Sequence, residues 1–104
     1  MPTGIWTALG DPHRRRLLDL LRQGESSVGD LVAGVGLSQP ATSKHLRVLR
    51  SAGLVQVRGD AQRRLYAVIP GPMADVDAWL APYRQLWNDR LDALGDHLDA
   101  DKES

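Results

Sequence analysis

Gly36, Leu37 and Ser38 separate two short amphipathic stretches, and that junction leaves few folds open to the chain. Ahead of it, Ser27 is placed to cap a helix, with Asp30 three residues on in the capping-box position and Leu31, Val32 and Val35 as its apolar side. Gly36 is suited to end that helix and Leu37 to anchor the turn, after which Ser38 caps a second helix running to about Ala52. At about 100° per residue, Thr42, Leu46 and Leu49 fall on one side of this second helix, with Ala41 and His45 at the margin. Gln39, Pro40, Ser43, Lys44 and Arg47 fall on the other. Two short helices joined by a tight glycine turn predict a helix-turn-helix, the second helix offering its polar, cationic face to a major groove.

The flanking segments complete a mainly α chain with a small β-hairpin, in the order α-α-α-α-β-β-α. Ile5 to Leu9 form a short amphipathic helix ended by Gly10, and Asp11-Pro12 restart a second with a capping acid and a proline at the first helical position. Leu17, Leu18, Leu20 and Leu21 supply its apolar face, Arg14, Arg15 and Arg16 its first turns, and Gly24 its end. After Gly53, Leu54 to Arg58 and Arg64 to Val68 alternate as half-buried strands do, with Gly59 to Gln62 as the turn between them. The hairpin carries Arg58, Arg63 and Arg64 around its tip and follows directly on the helix-turn-helix, as a wing does. Pro70-Gly71-Pro72 breaks the pattern, and a long helix from about Met73 to Leu98 has Val76, Trp79, Leu80, Tyr83, Leu86, Trp87, Leu91, Leu94 and Leu98 at steps of three or four. Residues 1–98 read as one domain and residues 99–104 as a frayed tail.

A net charge of zero conceals a division near Pro70. Residues 1–70 hold ten cations and five acids, residues 71–104 three cations and eight acids. Within the basic half the four arginines of residues 1–36 are balanced by four acids, whereas Lys44, Arg47, Arg50, Arg58, Arg63 and Arg64 face Asp60 alone. The surplus therefore sits on the second helix of the motif and the wing, a footprint suited to a polyanion. An acidic protein partner is the competing reading of the same stretch. The chain has no cysteine, which excludes disulfides, thiolate metal sites and thiol nucleophiles. Its start lacks a cationic segment followed by an apolar run, and no stretch approaches the roughly 20 apolar residues of a membrane span, so a cytoplasmic location is expected.

The phrases Ala8-Leu9-Gly10-Asp11-Pro12-His13-Arg14-Arg15, Leu37 to Val55 and Arg64-Leu65-Tyr66 resemble the ArsR-type winged helix regulators of bacteria and archaea, over nearly the whole chain. The resemblance implies a homodimer that binds a palindromic operator, usually as a repressor, and in many cases an effector that releases DNA. The residues support the same roles. Gln39, Ser43, Lys44 and Arg47 point outward with amide, hydroxyl and cationic groups for base edges and phosphates. Arg63 and Arg64 are placed for a minor groove or for phosphate, and His45 for either a packing hydrogen bond or a DNA contact. Thr42 reads as structural. Arg14 to Arg16, balanced by nearby acids, promise at most one phosphate contact, and His13 an exposed helix position.

Many relatives of this type sense metals, and here the ligand positions are vacant of ligands. Ser27 and Gly29 stand where two cysteines flank a valine, Asp75-Val76-Asp77 lacks the histidine of an Asp-x-His pair, and Asn88 and Leu91 stand at the later His-x-x-Glu positions. His97 among Asp92, Asp96 and Asp99 offers one imidazole and scattered carboxylates, a poor set for a tetrahedral ion, so no metal and no cofactor is expected. No nucleophile elbow, phosphate-cradling glycine loop or His-Glu-x-x-His helix is present, which argues against an enzyme. The long last helix has more apolar surface than a core of this size can cover. A second copy is expected to bury Trp79, Tyr83, Leu86 and Trp87 along with Ile5, Trp6 and Leu9, with an organic effector beside Trp79, Tyr83 and Trp87 as the alternative.

Overall fold

Three side-chain caps set the helix starts. Asp11 accepts from the amides of His13 at 2.8 Å and Arg14 at 3.2 Å, Ser27 from Asp30 at 3.3 Å and Ser38 from Ala41 at 3.2 Å. Each satisfies first-turn amides that have no partner within their own helix. The computed structural model describes the backbone of residues 3–103 and the side chains of residues 4–95. The elements are α1 (Thr3–Leu9), α2 (Pro12–Arg22), β1 (Ser26–Ser27), α3 (Val28–Val35), α4 (Gln39–Ser51), β2 (Val55–Asp60), β3 (Arg63–Val68) and α5 (Met73–Glu103). The chain divides into two units, Met1–Met73 and Ala74–Ser104.

In the first unit the apolar faces of the four short helices meet. Ile5 and Ala8 of α1, Leu17, Leu18 and Leu21 of α2, Leu31 of α3 and Leu46 and Leu49 of α4 are buried, joined by Leu54, Val55 and Leu65 from the hairpin. Full burial of a leucine side chain contributes about 1.5–3 kcal/mol, so these positions dominate the stability of the unit. Gly36 closes α3 in the left-handed conformation, at φ 76, and its amide reaches the carbonyl of Val32. A side chain there would be strained, and this is the turn that aims α4 away from α3.

The sheet is antiparallel with strand order β1-β3-β2. Its third strand is an addition to the expected hairpin: Ser26 pairs with Tyr66 and Ser27 with Leu65. The hairpin is also tighter than expected, because Gly59 pairs with Arg64 and Asp60 with Arg63, leaving only Ala61 and Gln62 as the loop. Ala61 turns the chain at φ 55, a left-handed conformation held by an ordinary residue.

In the second unit α5 continues past Leu98, where the apolar spacing ends; Ser104 of the expected tail lies outside the described residues. Pro82 lies inside this helix and removes one backbone donor. The rings of Trp79 and Tyr83, one turn apart, are tilted at 38° with centroids 4.9 Å apart. No helix among the described residues is long and apolar enough to cross a membrane.

Candidate nucleic-acid interface

The start of α4 is sealed by Ser38, and Thr42 locks it further. Its hydroxyl is fully buried and donates to the carbonyl of Ser38 at 2.8 Å, the same oxygen that accepts from its own amide at 2.9 Å. With Thr42, Leu46 and Leu49 inward, Gln39, Lys44, Arg47 and Arg50 are exposed and Ser43 is half-buried. Gln39 and Ser43 line a groove with Arg63 and Arg64 of β3 and with Ser27 to Gly29 at the start of α3. Round the helix, Ser43, Arg47 and Arg50 share a second cleft with Arg64 and Tyr66. Five of the expected contact residues, Gln39, Ser43, Arg47, Arg63 and Arg64, thus converge on one surface, and Lys44 is exposed on the same helix. Arg50 and Tyr66 were missing from the expected set. The three-residue step from Arg47 to Arg50 was a readable signal for the first; Tyr66 is brought in by strand pairing alone.

The wing cations differ in what holds them. Arg58 makes a two-pronged pair with Glu25, Nε to Oε2 at 3.0 Å and Nη2 to Oε1 at 2.5 Å. The hydrogen bond from Arg58 holds the Glu25 carboxyl below its ordinary value of 4.5, and the same bond raises the guanidinium. Arg63 reaches Asp60 at 3.2 Å. Among the described residues no carboxylate pairs with Lys44, Arg47, Arg50 or Arg64, and these cations remain for an outside anion.

Arg14 and Arg15, of which at most one phosphate contact was expected, are turned toward the end of α1. Arg14 donates from Nε to the carbonyl of Ala8 at 2.8 Å and from Nη2 to that of Thr7 at 2.9 Å, and Arg15 donates to that of Leu9 at 2.7 Å. Terminal helix carbonyls lack partners within the helix, so these guanidiniums complete α1 rather than extend a phosphate surface. The third prong of Arg14, Nη1, lies 3.3 Å from Nδ1 of His45, and the rings of His45 and His13 stand 5.8 Å apart. Two histidines scattered in sequence are therefore neighbours between α2 and α4. The Asp11 carboxyl is pushed up by partial desolvation, and the amides of Arg14 and His13, with the charge of the His45 ring when it is protonated and that of Arg14, outweigh this and leave it lowered.

Ile5 also departs from expectation. It is 1% exposed within its own subunit and has no surface left to offer a second copy, because the short α1 packs that side chain into the core. Leu9 is half-buried, Trp6 is exposed, and on α5 Trp79, Tyr83, Leu86 and Trp87 are 46–55% exposed.

A family model described as "Bacterial regulatory protein, arsR family" matches residues 11–57, the span from the cap of α2 into β2. HTH-type transcriptional regulator Rv2034 of Mycobacterium tuberculosis is 37% identical over 103 residues, which cover 91% of this chain and 92% of that protein. This chain belongs to the arsR family of bacterial regulatory proteins. Transcriptional repressor SdpR of Bacillus subtilis is 30% identical over 76 residues, 73% of this arsR-family chain and 84% of that one. The solution structure of a homodimeric winged helix-turn-helix DNA-binding domain, Mb0332 from Mycobacterium bovis, aligns with a TM-score of 0.66 at 29% identity, covering 79% of this chain and 76% of that one. The architecture is thus the winged helix-turn-helix of arsR-family transcription regulators.

The residues of this arsR-family chain do not fit a metal at the third helix. Ser27 Oγ already accepts the amide of Asp30, and Gly29 has no side chain. Among the described residues no three His, Cys, Asp or Glu side chains are grouped to hold an ion; His97, Asp96 and Asp99 lie outside the described side chains.

Proposed function

We propose that this arsR-family chain is a cytoplasmic homodimeric repressor of a palindromic operator, with residues 1–98 as its DNA-binding and dimerisation domain. Each α4 enters a major groove, where Gln39 and Ser43 meet base edges and Lys44 and Arg47 meet bases or flanking phosphate. Arg63 and Arg64 hold the neighbouring backbone or minor groove. The observation that carries the reading is the convergence of α4 and the wing on one surface whose cations, apart from Arg58 and Arg63, have no carboxylate partner among the described residues. The names of the Bacillus repressor and of the homodimeric Mycobacterium bovis domain support repression and dimerisation. A second copy covers the exposed Trp79, Tyr83, Leu86 and Trp87 together with Trp6 and the rest of Leu9.

Selection from a pool of random duplexes tests the proposal. The expected product is an inverted repeat with half-sites one helical turn apart, about 34–36 Å, whose affinity falls steeply with salt. Recovery of sequences with no shared motif would overturn it. If an acidic protein were the partner instead, replacing Ser43 and Arg47 with alanine would leave DNA affinity unchanged.

A further inference from the structure

We propose that Arg14 and His45 form a positioning pair that holds α4 to the C-terminal end of α1, and that protonation of the His45 ring releases it. A guanidinium only donates, so the 3.3 Å approach of Arg14 Nη1 makes Nδ1 of His45 the acceptor. The ring is then neutral, with its proton on Nε2. The other prongs of the same guanidinium hold the carbonyls of Ala8 and Thr7 in the last turn of α1. One planar, rigid group rooted in α2 therefore touches α1 and α4 at once, which a single ammonium in its place could not do in the same geometry.

Among the described residues the charged or titratable groups that interact with His45 are Arg14, the ring of His13 at 5.8 Å and the carboxylate of Asp11, from α2 and its cap. Its neighbours one turn away on α4, Ala41, Thr42, Val48 and Leu49, are uncharged, adjacent Lys44 is exposed, and α1 meets Arg14 with carbonyls. A second proton on the ring removes the lone pair that Arg14 uses. It also sets a second cation beside the Arg14 guanidinium, against the one carboxylate of Asp11. Histidine is the side chain that most readily exchanges a proton near neutrality, so the pair is closed while the ring is neutral and open once it is protonated. The consequence for operator binding rests on the reading of α4 proposed above; the pair itself does not.

The experiment uses the isotope-labelled full chain without DNA, followed by nuclear magnetic resonance from pH 8 to pH 5. The expected result is His45 in the Nε2-protonated tautomer at pH 8, with the amide resonances of Ala8 and Leu9 shifting along the titration of the His45 ring. His45→Gln, whose side-chain carbonyl accepts at every pH, should keep the folded spectrum and lose that shift in α1. His13→Gln should keep it. An Nδ1-protonated tautomer at pH 8, α1 resonances that stay fixed while His45 titrates, or an unchanged α1 titration in His45→Gln would each overturn the pair. With no DNA in the sample, failure here leaves the operator reading standing, and a chain that selects no operator leaves the pair standing.

Discussion

Glu25 and Arg58 are 33 residues apart in the chain and meet in a two-pronged ion pair, at 3.0 and 2.5 Å, that ties the segment before β1 to the second strand of the sheet. The pair holds the half of β2 nearer the hairpin turn and removes Arg58 from the set of cations open to phosphate. It also makes the wing sensitive to acid in a defined sense. The folded-state carboxyl of Glu25 lies below its ordinary value of 4.5, so the pair stabilises the fold above that value and loses its contribution as pH falls through the lowered one. Thermal melts of the wild type and Glu25→Gln should differ at neutral pH, the wild type being more stable, and converge as pH drops below 4.5. A difference that persists unchanged into strong acid would contradict the assignment.

The wing arginines should separate by their partners. Arg64→Ala removes a cation that lines both grooves and has no carboxylate beside it among the described residues. The log-log salt dependence of DNA binding is expected to lose a slope of about 1. Arg58→Ala should leave the slope nearly unchanged while lowering the melting temperature. Equal losses in the two variants would refute the division.

Ser43 lies where α4 and the wing share both grooves. Ser43→Ala is expected to cost about 1–3 kcal/mol on the selected operator and to relax preference at one base position, read by competition binding against single-base variants. A uniform loss over all sequences would make Ser43 a phosphate contact instead.

Thr42 is a stability residue on the reading face's buried side. Thr42→Val keeps its shape and removes the 2.8 Å hydrogen bond to Ser38, while the carbonyl of Ser38 keeps its backbone partner. Denaturant unfolding should register a loss of about 1 kcal/mol.

Trp87 is 55% exposed on α5. If α5 pairs two subunits, Trp87→Glu places a charge in the interface, and sedimentation equilibrium should move from dimer mass toward monomer mass. A variant that stays at dimer mass would put the subunit contact elsewhere.

Much of this was legible in the residues alone. Ser27, Ser38 and Asp11-Pro12 mark helix starts because a first turn needs acceptors for its amides, whatever the rest of the chain does. The spacing of Thr42, Leu46 and Leu49 sorts the faces of α4 because helical rotation is a local property. What failed to show was long in range. The two serines of β1 carry no strand signal and become a strand only because β3 passes beside them. The roles of Arg14 and Arg15 depend on where the end of α1 comes to rest, and nothing in a run of three arginines distinguishes a helix cap from a phosphate contact.

Local chemistry thus settled the order of the helices, the outward side of α4 and the hairpin that follows it, since caps, rotation and alternation act over a few neighbouring residues. Tertiary packing decided which cations stay open to an anion, that Ile5 is core, and that His13, Arg14 and His45 are neighbours. Those outcomes depend on distances between groups up to 33 positions apart, which only the closed chain defines.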